Sequence, residues 1–273
     1  MANRLEVYED YPKEWDAWEI TEYYKQKMWL LDEIALITPI YDGDRAGLRV
    51  EQHYMHSHIV QNIWLYNDSR RIDFETEIDW YEKHQILKVA FPFDVHTNTA
   101  TFDIQFGHIA RPTHENTSWD QARFESCGHK WVDLSDSGYG VSLLNDCKYG
   151  YNTEGSTLKL TVLKCGTYPN THADEGKHYF TYSLFPHSDS FREAEVIQEA
   201  YALNQPMECI ELGKQNGVLP CEFSLVSCDQ PNIILETVKK AEKSDDVILR
   251  CYEAYDRRSK VTFTLPDGFR EVF

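Results

Sequence analysis

Residues 71–84 read RIDFETEIDWYEKH, in which Ile72, Phe74, Thr76, Ile78 and Trp80 alternate with Asp73, Glu75, Glu77 and Asp79. A side-chain period of two belongs to a strand, so the first set faces a core and the second an acidic, solvated surface. ILKVAFPFDV repeats the period with Leu87, Val89, Phe91, Phe93 and Val95, and its Pro92 points to an edge or a bulge. TATFDIQFGHI follows with Ala100, Phe102, Ile104 and Phe106, and the short HTNT before it reads as a hairpin loop. Residues 71–109 are therefore expected to form a meander.

Further strands are expected in SHIVQNIWLYN, STLKLTVLK, KHYFTYSLFPH, EFSLVS, VILRCYEAYD and KVTFTL. Turn signals separate them at Tyr41-Asp42-Gly43-Asp44, at Asn152 to Ser156 and at Pro266-Asp267-Gly268. Helical signal is thin: a turn or two in WDAWEITEYYKQK, a short helix or strand in REAEVIQEAYAL, and the ambiguous ETVKKAEKSDD. Many strands without intervening helices do not build βαβ units, so the expected fold is a large all-β sandwich. The aperiodic residues 200–223 suggest a seam, giving a main sandwich over 1–205 and a small β tail over 206–273.

A net charge of −18 and a pI near 5.0 argue against nucleic acid, whose phosphates need clustered Lys and Arg; only the isolated pairs Arg70-Arg71 and Arg257-Arg258 occur. No apolar run reaches the length of a membrane span, and the first residues carry no signal-peptide core, so a soluble, cytoplasmic protein without a membrane partner is expected. The seven cysteines are irregularly spaced, which suits reduced thiols better than a disulfide framework.

Motifs for nucleotide and serine-hydrolase chemistry, GxGxxG, GxxxxGK[ST] and GxSxG, do not occur. On a strand His56 and His58 of HYMHSH share a face, but two imidazoles without a third ligand are more often a packed or exposed pair. Cys127, His129 and Asp133 allow a thiol-and-base sketch, although catalytic partners normally converge from distant segments. Trp15, Trp18, Trp119, Trp131, Tyr139, Tyr149 and Tyr151 would stack on sugar rings, and would equally fill a sandwich core. Two stretches are dense in polar groups. RPTHENTSWDQARFESCGHKW spans residues 111–131, and GYGVSLLNDCKYGYN delivers Asn145 to Gly150 at a strand end, where site-forming and turn-forming readings are level.

The segments YEDYPKEWDAWEI, DFETEIDWYEKHQILKVAFPFDV, FGHIARPTHENTSWDQARFESCGHKWVDLSDSGYGVSLLNDCKYGY, ADEGKHYFTYSLFPH and ETVKKAEKSDDVILRCYEAY together resemble, in order, the carboxy-terminal β region of family 38 glycoside hydrolases, the α-mannosidases of the bacterial and cytosolic branch. The resemblance implies an antiparallel supersandwich of galactose-mutarotase-like type with a small carboxy-terminal β domain. It implies a parent enzyme that hydrolyses terminal α-linked mannose with retention through a glycosyl-enzyme intermediate. In that family an amino-terminal barrel carries the aspartate nucleophile and the zinc ligands and a helical bundle follows. This chain is accordingly expected to be a cut piece with an added start and a shortened end, inactive by itself, without catalytic or metal residues. Its implied partners are the barrel and bundle of the same protein and a mannose-containing glycan, with self-association through the docking face.

The same resemblance marks Asp146, Lys148, Tyr149 and Tyr151 as candidates to line the sugar cleft. In the Golgi and lysosomal branch the stretch matching LLNDCKYG has Asp-Arg where this chain has Asp146-Cys147, and that arginine faces the active site. Here the cation stands one place on, at Lys148, which strand geometry turns to the opposite face unless a bulge compensates. Tyr81 stands where relatives often have His. Arg111, Trp119, Asp120, Arg123 and Glu125 are expected to form a buried bracing network, with Asp120–Arg123 or Arg111–Glu125 as charge pairs. Two alternatives are a free-standing carbohydrate-binding module and a mutarotase-like enzyme using His108, His114 or His129.

Overall fold

The computed structural model describes residues 2–33, 35–214, 216–218, 220–266 and 268. The strands begin with β1 (Arg4–Glu9), β2 (Met28–Leu30), β3 (Leu36–Asp42), β4 (Arg45–Tyr54), β5 (Ser57–Tyr66), β6 (Ile72–Trp80) and β7 (Gln85–Pro92). They continue with β8 (Thr99–Ile104), β9 (Gly107–Pro112), β10 (Ser126–Cys127), β11 (Trp131–Ser135), β12 (Tyr139–Asn145), β13 (Gly150–Glu154), β14 (Thr157–Cys165) and β15 (Gly176–Ser188). The last four are β16 (Ser227–Cys228), β17 (Ile233–Lys240), β18 (Val247–Glu253) and β19 (Phe263–Thr264). Among the described residues helices are few: a 3-10 turn at Glu22–Gln26, α1 (Ser118–Gln121) and α2 (Val196–Asn204).

Two compact units result. One runs to Pro206 but leaves out Ile104–His108, and the other takes Ile104–His108 and the chain from Met207 on. The first unit is built on a six-stranded sheet ordered β10-β13-β14-β7-β1-β2 and a nine-stranded sheet ordered β3-β4-β5-β6-β15-β12-β11-β8-β9. Between them lies one buried cluster, where Val7, Leu87, Val89, Phe91, Leu158 and Leu160 meet Ile59, Phe74, Ile78, Trp80, Leu143 and Tyr182. Burying each such side chain contributes about 1.5–3 kcal/mol, so this layer dominates stability. The second unit holds two short antiparallel ladders, β16 with β19 and β17 with β18.

The expected meander does not form. β6 lies between β5 and β15 in the larger sheet, β7 between β14 and β1 in the smaller, and β8 is back in the larger, beside β11. Alternation reports that a strand has a buried face; it does not report which strand supplies its hydrogen bonds. Pro92 ends a central strand and marks no edge. The acidic face of β6 is solvated only in part: Asp73 is buried and accepts hydrogen bonds from Ser183 Oγ at 2.7 Å, Tyr66 Oη at 2.8 Å and Arg71 Nε at 2.7 Å.

β7 is buried on both faces, Ile86, Lys88 and Ala90 included, because the 3-10 turn lays Tyr24 over Tyr8 and Ile86, with Ile20 and Phe124 packed alongside. The smaller sheet therefore carries a covering layer that alternation did not foretell. EFSLVS and KVTFTL yield only the short β16 and β19, ETVKKAEKSDD opens as β17, and REAEVIQEAYAL becomes α2. The turn expected at Pro266-Asp267-Gly268 falls partly outside the described residues.

Candidate functional site

The loop from β12 to β13 is organised by Asn145, which is fully buried. Its Nδ2 donates to the His129 carbonyl at 2.7 Å and to the Tyr151 hydroxyl, while its Oδ1 accepts the Lys148 N–H at 2.6 Å. Its backbone N–H donates to the Lys130 carbonyl at 3.0 Å, and its carbonyl accepts from Asn204 Nδ2 at 2.9 Å. A buried amide with every bond made fixes the backbone around it. The sequence carries a signal for it, an Asn at a strand end that can bond the backbone of the turn it opens.

Of those neighbours, Asp146 clips the loop to β15: its carboxylate accepts the Thr181 N–H at 2.9 Å and its own N–H donates to the Thr181 carbonyl at 3.1 Å. Lys148 sets its Nζ 4.7 Å from the Phe180 ring centroid, at the rim of a cleft of about 200 Å³ shared with Lys164, Asp174 and His178. Tyr149 is half exposed, its ring 5.3 Å from that of His129. Tyr151 is not a cleft residue. It stands opposite Leu160 in β14, points into the core edge-on to Phe102, and is fully buried, which pushes its phenol well above the ordinary range.

Tyr149 forms one wall of a second cleft, of about 290 Å³, with Trp18, Glu125, Cys127, Thr161 and Lys164 among the other walls. Beneath it Glu125 accepts a hydrogen bond from Tyr24 Oη at 2.6 Å and pairs with Lys88, whose Nζ also donates to Thr161 Oγ1 at 2.7 Å. Burial pushes the fully enclosed Lys88 ammonium down in pKa while Glu125 opposes the shift. Burial and then Glu125 push the Tyr24 phenol up. The aromatic walls Trp18 and Tyr149 suit the C–H face of a sugar ring.

The bracing network expected of residues 111–125 is mostly absent. Trp119 is 77% exposed, Arg123 is exposed, and neither the Asp120–Arg123 nor the Arg111–Glu125 pair forms among the described residues. Asp120 instead closes a capping box with Thr117 at the start of α1, which holds its carboxyl below the usual range, and lies 3.6 Å from His114. Arg111 donates to the Cys127 carbonyl at 2.8 Å and covers the Phe102 ring. Only Glu125 is drawn into a buried network. The physical reason is spacing: a four-residue helix satisfies its polar groups locally and leaves none to reach across.

The Cys127 sketch fails on Asp133, which is buried and bonded to Ser142 Oγ at 2.7 Å and His187 Nε2 at 2.8 Å. His53 and His58 face one another across β4 and β5 with ring centroids 4.5 Å apart, and His56 sits in the intervening turn. His108 bonds the Ala254 carbonyl at 3.0 Å within the second unit, whereas His114 and His129 keep the separate neighbours just described. Tyr81 is half exposed beside Asp79, which raises its pKa. Among the described residues no three His, Cys, Asp or Glu side chains are grouped to hold a metal, so the zinc implied by the resemblance has no ligand set here.

Comparison with known proteins matches a family model described as the glycosyl hydrolases family 38 C-terminal domain to residues 1–172. A second, the family 38 C-terminal beta sandwich domain, matches residues 232–272. Similar proteins include alpha-mannosidase 2C1 of Homo sapiens, 40% identical over 93% of this chain and 25% of its own length. Alpha-mannosidase G of Dictyostelium discoideum is 37% identical over 100% and 26%. The chain thus spans about a quarter of the curated relatives it matches. The crystal structure of an alpha-mannosidase from Enterococcus faecalis V583 superposes with a TM-score of 0.80 over 97% of this chain and 34% of that one, at 16% identity, and so shares its fold. The chain belongs to glycoside hydrolase family 38, matching the C-terminal domains of that family.

Proposed function

We propose that this chain serves an α-mannosidase that releases terminal α-linked mannose, and that its own part is to shape and face the sugar cleft while the nucleophile and metal ligands come from elsewhere in the parent protein. The carrying observation is the match to α-mannosidases over 93% of this chain but only 25% of the relative. The cleft walled by Trp18 and Tyr149 is the surface assigned to the sugar. The exposed Leu36, Ile37 and Leu48 of the β3–β4 hairpin fit a face covered by the rest of the parent. Seven unpaired cysteines support a reducing, cytoplasmic setting.

The test is an aryl α-mannoside assay of the isolated chain, with and without added zinc or cobalt, beside the parent protein carrying Tyr149→Ala. The chain alone is expected to give no turnover, and the variant parent a raised KM. Turnover by the chain alone overturns the division of labour, and an unchanged KM overturns the assignment of the cleft.

A further inference from the structure

Residues 10–19 carry aromatic surface beyond the cleft at Tyr149. Tyr11, Trp15, Trp18 and Tyr168 are 67, 57, 71 and 54% exposed. The Trp15 ring lies 6.3 Å from that of Trp18 and 6.2 Å from that of Tyr168, and Tyr11 stacks on His84 at 4.6 Å. Rings of this size left in water forgo the stabilisation that burial gives. Trp15 also holds a φ of 55°, in the left-handed region that a non-glycine residue adopts only at a cost.

The segment is nonetheless firmly held. The Trp15 carbonyl accepts the N–H groups of Trp18 and Glu19 at 2.7 and 2.9 Å, Ala17 N–H donates to the Tyr168 carbonyl at 3.0 Å, and Asp10 N–H to the His84 carbonyl at 2.8 Å. The Asp16 carboxylate accepts the Thr167 N–H, and Lys164 donates to the Asp16 carbonyl at 2.6 Å. Gly166 permits this approach, since a Cβ there would stand 2.9 Å from Asp16 Cγ. Exposed rings on a strained but anchored backbone are pre-organised for a ligand. Between Tyr11, Trp15 and Tyr168 opens a cleft of about 290 Å³ whose remaining lining is Pro12 together with the polar Lys13, Glu14, Asp16, Thr167 and His84. The His84 ring is held by Asp16, 4.0 Å from its Nδ1, and by the Thr167 hydroxyl, 3.4 Å from its Nε2.

We propose that this cleft is a non-catalytic binding site for a hexose ring of an α-mannoside, stacked on Trp15 with its hydroxyls toward Glu14, Thr167 and His84. A sugar ring joins an apolar face to a rim of hydroxyls, and the cleft joins aromatic side chains to polar ones. The choice of mannose rests on the function proposed above; the aromatic site itself does not.

The experiment follows the indole N–H signals of the seven tryptophans by NMR while methyl α-mannoside, α-linked mannobiose or methyl β-galactoside is added to the chain. Saturable shifts of Trp15 and Trp18 with the mannosides are expected. Trp15→Ala should weaken binding by about tenfold or more, Trp15→Tyr should keep most of it, and Trp119→Ala should leave it unchanged. No indole shift with any sugar, or shifts untouched by Trp15→Ala, overturns the site. Shifts with the galactoside alone keep a sugar site at Trp15 but overturn its mannoside ligand. The turnover assay is scored separately, so either idea can fail without the other.

Discussion

Asp120 and Glu125, in the two halves of residues 111–131, are both carboxylates, yet the fold uses them in opposite ways. Asp120 bonds to Thr117, three positions away, at the exposed start of α1. Glu125 bonds to Tyr24, 101 positions away, and to Lys88, 37 positions away, beneath the covering layer of the smaller sheet. Charge density in a sequence therefore says little about structural weight. What decides it is how far a polar group must reach for its partner, and whether water can replace that partner if it is lost.

The largest expected effect lies on the Glu125 side. Glu125→Ala leaves the fully buried Lys88 ammonium without its counter-charge, which should cost about 3–5 kcal/mol in urea unfolding. Replacing both partners, as Lys88→Met with Glu125→Leu, should recover much of that loss, because no uncompensated charge remains. A loss below about 1 kcal/mol for the single change would show that water reaches the pair, and the contrast with Asp120 would vanish.

Asn145→Ala sharpens the comparison with a neutral group. It strands the Lys148 N–H and leaves the His129 carbonyl only the long bond from the Tyr151 hydroxyl at 3.4 Å, and a cost of about 2–3 kcal/mol is expected from the unmade bonds. The NMR signals of Lys148 and Tyr149 should broaden with it, whereas those of Thr117 to Gln121 should not. Preserved loop signals with lost stability would separate bracing from loop shaping.

Legibility in the sequence follows the same rule of reach. β6 could be read because its partners on the buried face need only be apolar; Ile78 and Trp80 fit any core. Its crossing to β7 could not, because which sheet a strand joins depends on pairings with segments far along the chain. Tyr149 and Tyr151 look alike in the sequence, and only the register of β13 against β14 sends Tyr151 inward opposite Leu160. Lys88 read as an outward residue of an alternating strand until Tyr24 and Phe124 covered it. The family, in contrast, was legible from ordered segments, since resemblance needs no contact map.

The smallest effects belong to the exposed half. Thr117→Ala removes the hydroxyl that accepts the Asp120 N–H at 3.2 Å, and an N-cap of this kind is worth about 1 kcal/mol in a long helix. α1 has only four residues and none of them is buried, so its fraying exposes little new surface and global unfolding should register about 0.5 kcal/mol or less. Trp119→Ala, at a ring 77% exposed, should likewise stay within about 0.5 kcal/mol, although tryptophan is the largest side chain in the stretch. Hydrogen exchange offers the finer measure: Thr117→Ala should speed exchange at the amides of Asp120 and Gln121 while leaving that of Glu125 unchanged. Faster exchange at Glu125 would mean that the two halves are one cooperative unit, and the contrast between them would have to be given up.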